Sequence, residues 1–186
     1  MKKIFVCITA AGMLAGCGES EPKTFTGFIT DATMNTVTVS TLTSDATYTF
    51  STVDADRSEA NGLLTGAPAI VDYKGRLEDG AKAIKIATDP TYAAAVGRWT
   101  RPDPIAPDNV MGIELLVEGA AQSINMATLR YTSWELQGEA DKILLKGESV
   151  GNHQTITFTE TGILSKEADG RCTLTIEENG TVYTKE

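Results

Sequence analysis

Few side chains in this sequence could carry acid–base or covalent chemistry, and their spacing assembles no familiar site. The chain has one histidine, His153, in the turn-like run Gly151-Asn152-His153-Gln154. Its plain reading is a solvated turn residue, with a pH-responsive group at a barrel mouth as the alternative. Cys172 shares strand phase with Leu174 and Ile176 and reads as a buried, inert thiol, because the neighbouring Arg171 points to the opposite face of the strand. Glu160 continues the phase of Phe158, so it is either an inward carboxylate near a rim or a solvated strand end. One histidine and one such thiol leave no Cys/His metal spacing and no nucleophile paired with a base. No enzyme, no metal and no cofactor is expected.

The remaining reactive residue is Cys17, and the amino end positions it. Lys2 and Lys3 precede a stretch, residues 4–16, that is mostly apolar and holds no acid or base. It is too short to span a bilayer, which takes roughly 20 apolar residues, and residues 1–16 read as a signal peptide. Leu14-Ala15-Gly16-Cys17 resembles a bacterial lipobox. That resemblance implies a diacylglycerol on the Cys17 thiol, cleavage before it, and a further acyl chain such as palmitate on the new amino end. Two or more chains suffice for stable anchoring, so the membrane is the first expected partner. Residues 17–23, Cys-Gly-Glu-Ser-Glu-Pro-Lys, suit a lipidated tether. Glycine rather than aspartate after the cysteine resembles outer-membrane lipoproteins, facing the periplasm or the cell surface.

Charge removes another class of partner. The chain carries 16 basic and 25 acidic residues, a net charge of −9, which becomes −11 once Lys2 and Lys3 leave with the signal. Such a chain repels phosphates, so nucleic-acid binding is excluded. Loss of Cys7 and lipidation of Cys17 leave Cys172 as the only thiol of the soluble part, with no intramolecular disulfide.

Both halves of the mature chain read as β, so the fold is expected to be all-β. Residues 24–88 contain five strand-like runs, at 24–31, 36–41, 46–52, 68–75 and 81–87. Val37 and Val39 alternate with Thr36, Thr38 and Ser40, as Tyr48 and Phe50 do with Thr47, Thr49 and Ser51. Residues 54–60 predict a short helix before the fourth strand. This order resembles an OB-like five-stranded barrel. Its aromatics fall in the buried phase and its wet phase is mostly threonine and serine, which suits a structural or protein-contacting module.

Residues 89–186 begin with Asp89 as an N-cap and Pro90 as the first residue of a helical turn that Gly97 can end. Eight short runs follow, at 98–100, 112–117, 121–125, 129–135, 142–149, 155–161, 171–177 and 181–184, and 163–165 suggests one more. Hairpin-type pairs such as Gln137-Gly138 and Asn179-Gly180 lie between them and favour an up-and-down barrel. The helical turn followed by Gly97-Arg98-Trp99, with Tyr131-Thr132-Ser133-Trp134 further on, resembles the lipocalin signature over about residues 92–186. The resemblance implies a short lipocalin-like eight-stranded antiparallel barrel with Gly97, Trp99 and Trp134 as its structural signature. In that family the first tryptophan plugs the closed end beneath a basic side chain. A lipid anchor with two barrels also resembles NlpE-type envelope lipoproteins. There the lipocalin-like module usually comes first and carries a Cys-x-x-Cys that this chain lacks, which speaks against copper binding or thiol sensing.

In strand phase, Arg130, Thr132 and Trp134 face one way and Leu129, Tyr131 and Ser133 the other, and phase alone does not choose between them. The expected ligand-lining set is Leu115, Tyr131, Ile143, Leu145, Ile156 and Phe158. The proline-rich run 101–109 is either a lid, with Ile105 closing one end, or a rigid connection. Two functions follow: an outer-membrane lipoprotein whose barrel binds a small hydrophobic or amphipathic ligand, or a filled barrel that contacts or senses through envelope proteins.

Overall fold

The computed structural model describes residues 21–42, 44, 46–152 and 154–186. Residues 1–16, read above as a signal peptide, the expected lipidation site Cys17, most of the expected tether and His153 lie outside the described residues.

Six strands make the N-terminal half: β1 (Lys23–Ala32), β2 (Thr36–Thr41), β3 (Thr47–Ser51), β4 (Asp56–Glu59), β5 (Pro68–Tyr73) and β6 (Ala81–Thr88). β1, β2 and β3 form an antiparallel meander, β5 pairs with β1 and with β6, and a parallel contact of β3 with β6 at Phe50↔Ala81 completes the circuit. Five strands thus close into an OB-like barrel. The predicted alternation sets its core. Val37 lies opposite Phe50, Ile29 opposite Val39 and Val71 opposite Ile86, all fully buried. Phe25, Phe50 and Tyr73 continue the packing, with ring centroids 5.5 and 5.7 Å apart.

The expected helix at 54–60 is instead extended, as β4 alongside β6. Tertiary partners hold it open. The Arg57 guanidinium donates to the carbonyls of Met34 and Thr52 and to the Thr52 hydroxyl, Glu59 pairs with Lys85, and the Asn61 N–H donates to Thr88 Oγ1. A helix this short gains too few internal hydrogen bonds to offset nucleation, so outside partners decide.

The C-terminal half opens with α1 (Pro90–Ala95), whose first turn is capped by Asp89 accepting from the Tyr92 N–H. Eight antiparallel strands follow: β7 (Gly97–Pro102), β8 (Val110–Leu115), β9 (Ala121–Ile124), β10 (Leu129–Leu136), β11 (Lys142–Gly151), β12 (Gln154–Lys166), β13 (Cys172–Ile176) and β14 (Val182–Lys185). Apart from β9 and β10, each pairs with the next, and β14 pairs back onto β7. The remaining seam, between β9 and β10, is closed by one bridge from Ala120 to Ser133 and by the Ser123 hydroxyl. That hydroxyl donates to the Leu129 carbonyl and accepts from the Tyr131 N–H. Residues 163–165 form no separate strand; they continue β12, which is 13 residues long.

β10 departs from simple alternation. Tyr131 lies opposite Gly147 but Ser133 opposite Lys146, so Thr132 is an extra, bulged residue. The bulge resets the phase and turns both Tyr131 and Trp134 into the buried face, where strict alternation would have placed them on opposite sides.

Candidate ligand-binding site

The interior of the C-terminal barrel is built in layers. At the closed end the Trp99 ring lies under Lys185, whose Nζ is 5.1 Å from the ring centroid. The indole Nε1 donates to the Ala95 carbonyl at 2.7 Å and Lys185 Nζ to the Ala94 carbonyl at 2.6 Å, so both ends of the stack are tied to α1. Burial holds the Lys185 ammonium below the ordinary lysine range. Gly97 permits this arrangement: it adopts φ +138°, and a Cβ there would stand 2.8 Å from Lys185 Cε. Cys172 keeps its inward phase at this end but is only half-buried.

Above this layer Leu115, Ile143 and Leu145 are fully buried with Ile113, Leu174 and Ile176. These three expected lining residues are therefore packed core, as an eight-stranded barrel just wide enough for its own side chains allows. The next layer is polar. Tyr131 donates to Glu160 Oε2 at 2.6 Å, Asn179 donates to the other carboxylate oxygen, and the Arg101 guanidinium lies 5.7 Å from the Tyr183 ring centroid. Burial, reinforced by the bond to Glu160, pushes the Tyr131 hydroxyl far above the usual tyrosine range. Phe158 packs edge-on against Tyr131 at 5.4 Å. Glu160 is thus an inward carboxylate. Arg101 Nε is buried here with no hydrogen-bond partner among the described residues.

Ile156 does not line the interior. It is 63% exposed, because β12 before Gly162 has β11 on one side and no β13 residue paired on the other. Ile105 is 92% exposed and closes nothing; its loop is held by Asp103, which accepts from the Ile105 N–H and whose own N–H donates to the Asn109 carbonyl.

An open cavity of about 540 Å³ lies at the closed end of this barrel, where the two barrels meet. Phe28 and Pro68 of the N-terminal barrel form one side, and Tyr92, Trp134 and Leu136 the other. The Tyr92 hydroxyl joins the two barrels. It donates to the Thr65 carbonyl at 2.8 Å and accepts from the Glu118 N–H at 2.7 Å. Burial raises its pKa. Gly66 makes the close approach possible, with φ +80° and a missing Cβ that would fall 2.5 Å from that hydroxyl. Glu118 itself holds a left-handed backbone, φ 62° and ψ 16°, at a cost of about 1–2 kcal/mol for a residue with a Cβ. The Trp134 ring sits 5.0 Å from Tyr92, and its Nε1 donates to the Leu116 carbonyl.

Sequence reasoning missed this cavity, since it named Trp134 only as barrel signature and Tyr92 only as part of a helical turn. One signal was present: Phe28 occupies the wet phase of β1 among Thr24, Thr26 and Thr30, and is 44% exposed. Among the described residues no group of three His, Cys, Asp or Glu side chains is placed to hold a metal ion.

The family model for lipocalin-like proteins matches residues 91–186, from the second residue of α1 to the end of the chain. The chain belongs to the lipocalin-like family. A crystal structure of a lipocalin-like protein from Bacteroides thetaiotaomicron is 37% identical, covers 50% of this chain and 96% of its own, and aligns with a TM-score of 0.42. No curated protein matches the chain.

Two measurements test these layers. The folded protein keeps the Tyr131 proton to a higher pH than the unfolded chain, where tyrosine titrates near about 10. Stability therefore falls as pH rises above about 10, and the fall is shallower in Tyr131→Phe, read from denaturant midpoints between about pH 8 and 11. Tyr92→Phe leaves the Thr65 carbonyl and the Glu118 N–H without their partner and is expected to cost about 1–3 kcal/mol. Calorimetry is expected to show the two barrels melting less cooperatively in the variant than in the parent protein.

Proposed function

We propose that this chain is a lipid-anchored, non-catalytic outer-membrane lipoprotein that binds a small hydrophobic or amphipathic molecule in the cavity between its barrels. The anchor rests on Leu14-Ala15-Gly16-Cys17, and the outer membrane on Gly18 after the modified cysteine. The observation that carries the binding site is the contrast between the two spaces. The barrel interior is occupied by its own side chains, whereas the interdomain cavity has an aromatic and aliphatic lining and a volume within the range of about 300–1,000 Å³ common to small-molecule pockets. The C-terminal barrel then serves as a rigid wall, and its family resemblance describes the fold more than the place of the ligand.

The second reading is a filled, NlpE-like pair of barrels that contacts envelope proteins. The exposed Phe28 and Ile70 on one outer face of the N-terminal barrel favour it.

Cys17→Ser is expected to move the protein from the membrane fraction to the soluble one; retention in the pellet argues against the anchor. All the described strands and α1 lie between Lys23 and Lys185, so a chain starting at Glu21 holds every strand of both barrels described above. Native mass spectrometry of that chain should reveal a co-purified small molecule, and Phe28→Ala should lose it. A bare protein that instead crosslinks to an envelope protein through Phe28 and Ile70 would support the second reading.

A further inference from the structure

Resting on the interdomain cavity as the binding site, we propose that it selects an amphiphile with a cationic head, a primary or quaternary ammonium on an apolar tail. Its two acidic lining residues, Glu118 and Glu135, are not equivalent. Glu135 is neutralised by Lys146, 2.8 Å away. The Glu118 carboxylate has no ion pair or hydrogen bond among the described residues, while its backbone is fixed by the N–H to Tyr92. Among the described residues no lysine, arginine or histidine lines the cavity. Among the described residues a ligand bearing an anionic head would meet an unpaired carboxylate and no lining cation, whereas a cationic head would find a counter-charge in Glu118.

The rest of the lining suits the same head group. Phe28, Tyr92 and Trp134 converge on the cavity, and aromatic rings attract ammonium groups through their negative faces, most strongly when water is excluded. Pro68 and Leu136 add aliphatic surface for a tail. The net charge of −9 on the whole chain biases the surrounding field in the same direction and should speed the approach of a cation. Glu118 lines the cavity as a solvent-exposed residue, and its left-handed backbone together with its N–H bond to Tyr92 fixes where its side chain leaves the chain.

The experiment compares three probes that share a decyl tail, each below its micelle concentration: decyltrimethylammonium, decyl maltoside and decanoate. Isothermal titration of the chain from Glu21 is expected to give binding about tenfold tighter for the cation than for the neutral probe, and none for decanoate. Glu118→Gln should bring the cation's affinity down to that of the neutral probe and leave the neutral probe unchanged, with an unaltered melting temperature confirming the fold. Phe28→Ala should weaken both. Raising salt to about 0.5 M should weaken only the cation. Equal binding of cation and neutral probe, or a Glu118→Gln variant that still prefers the cation, overturns the head-group assignment while leaving the cavity as the site. Tighter binding of decanoate overturns it as well. If no probe binds, or if binding ignores Phe28→Ala, the cavity itself is not the site and both readings fall.

Discussion

The hydroxyl of Tyr92 is the point on which the two halves of this molecule depend. It satisfies a carbonyl from one barrel and an N–H from the other, and its position requires a glycine at residue 66 and a left-handed glutamate at 118. A buried hydroxyl with both valences used is costly to move. The relative placement of the barrels, and with it the shape of the space between them, is therefore set by one side chain on a six-residue helix. That helix is in turn held by the Asp89 cap at its start and by Trp99 and Lys185 binding its last carbonyls.

The C-terminal barrel spends its interior on packing. Apolar residues fill its middle, and Tyr131, Glu160, Arg101 and Tyr183 form a polar layer above them. Such a layer is stable only when its members satisfy one another, and most of these do. A barrel whose interior is filled by its own side chains can serve as a wall for a site outside itself.

The parts of this architecture governed by alternation were legible in the sequence. Val37, Val39 and Phe50 announced one core, and Ile143, Leu145 and Leu174 the other, because period two acts on each strand independently of the rest. The Gly97-Arg98-Trp99 stretch was legible through its resemblance to the lipocalin signature, and of its residues Gly97 alone meets a backbone demand, with φ +138°. What failed depended on partners distant in the chain. Residues 54–60 are extended because Arg57 and Glu59 find Thr52, Met34 and Lys85. Trp134 joins Tyr131 on one face because a single extra residue, Thr132, is absorbed by the pairing with β11. Ile156 has the inward phase but lies beyond the end of the neighbouring strand. The cavity was least legible, as Phe28 and Trp134 become neighbours only when two barrels dock.

The pairing of β14 with β7 also shapes how the molecule is made. Lys185 reaches back 91 residues to the carbonyl of Ala94, and its strand seals the barrel beside Trp99. A chain emerging from its amino end would form the OB-like barrel and the early hairpins while the indole of Trp99 still lacked its cover. Closure waits on contacts of the longest sequence separation, the kind that pay the largest loop entropy before they return anything. The half-built C-terminal barrel is thus the vulnerable species in the life of this protein, and the stretch from Val182 to Lys185 ends that exposure.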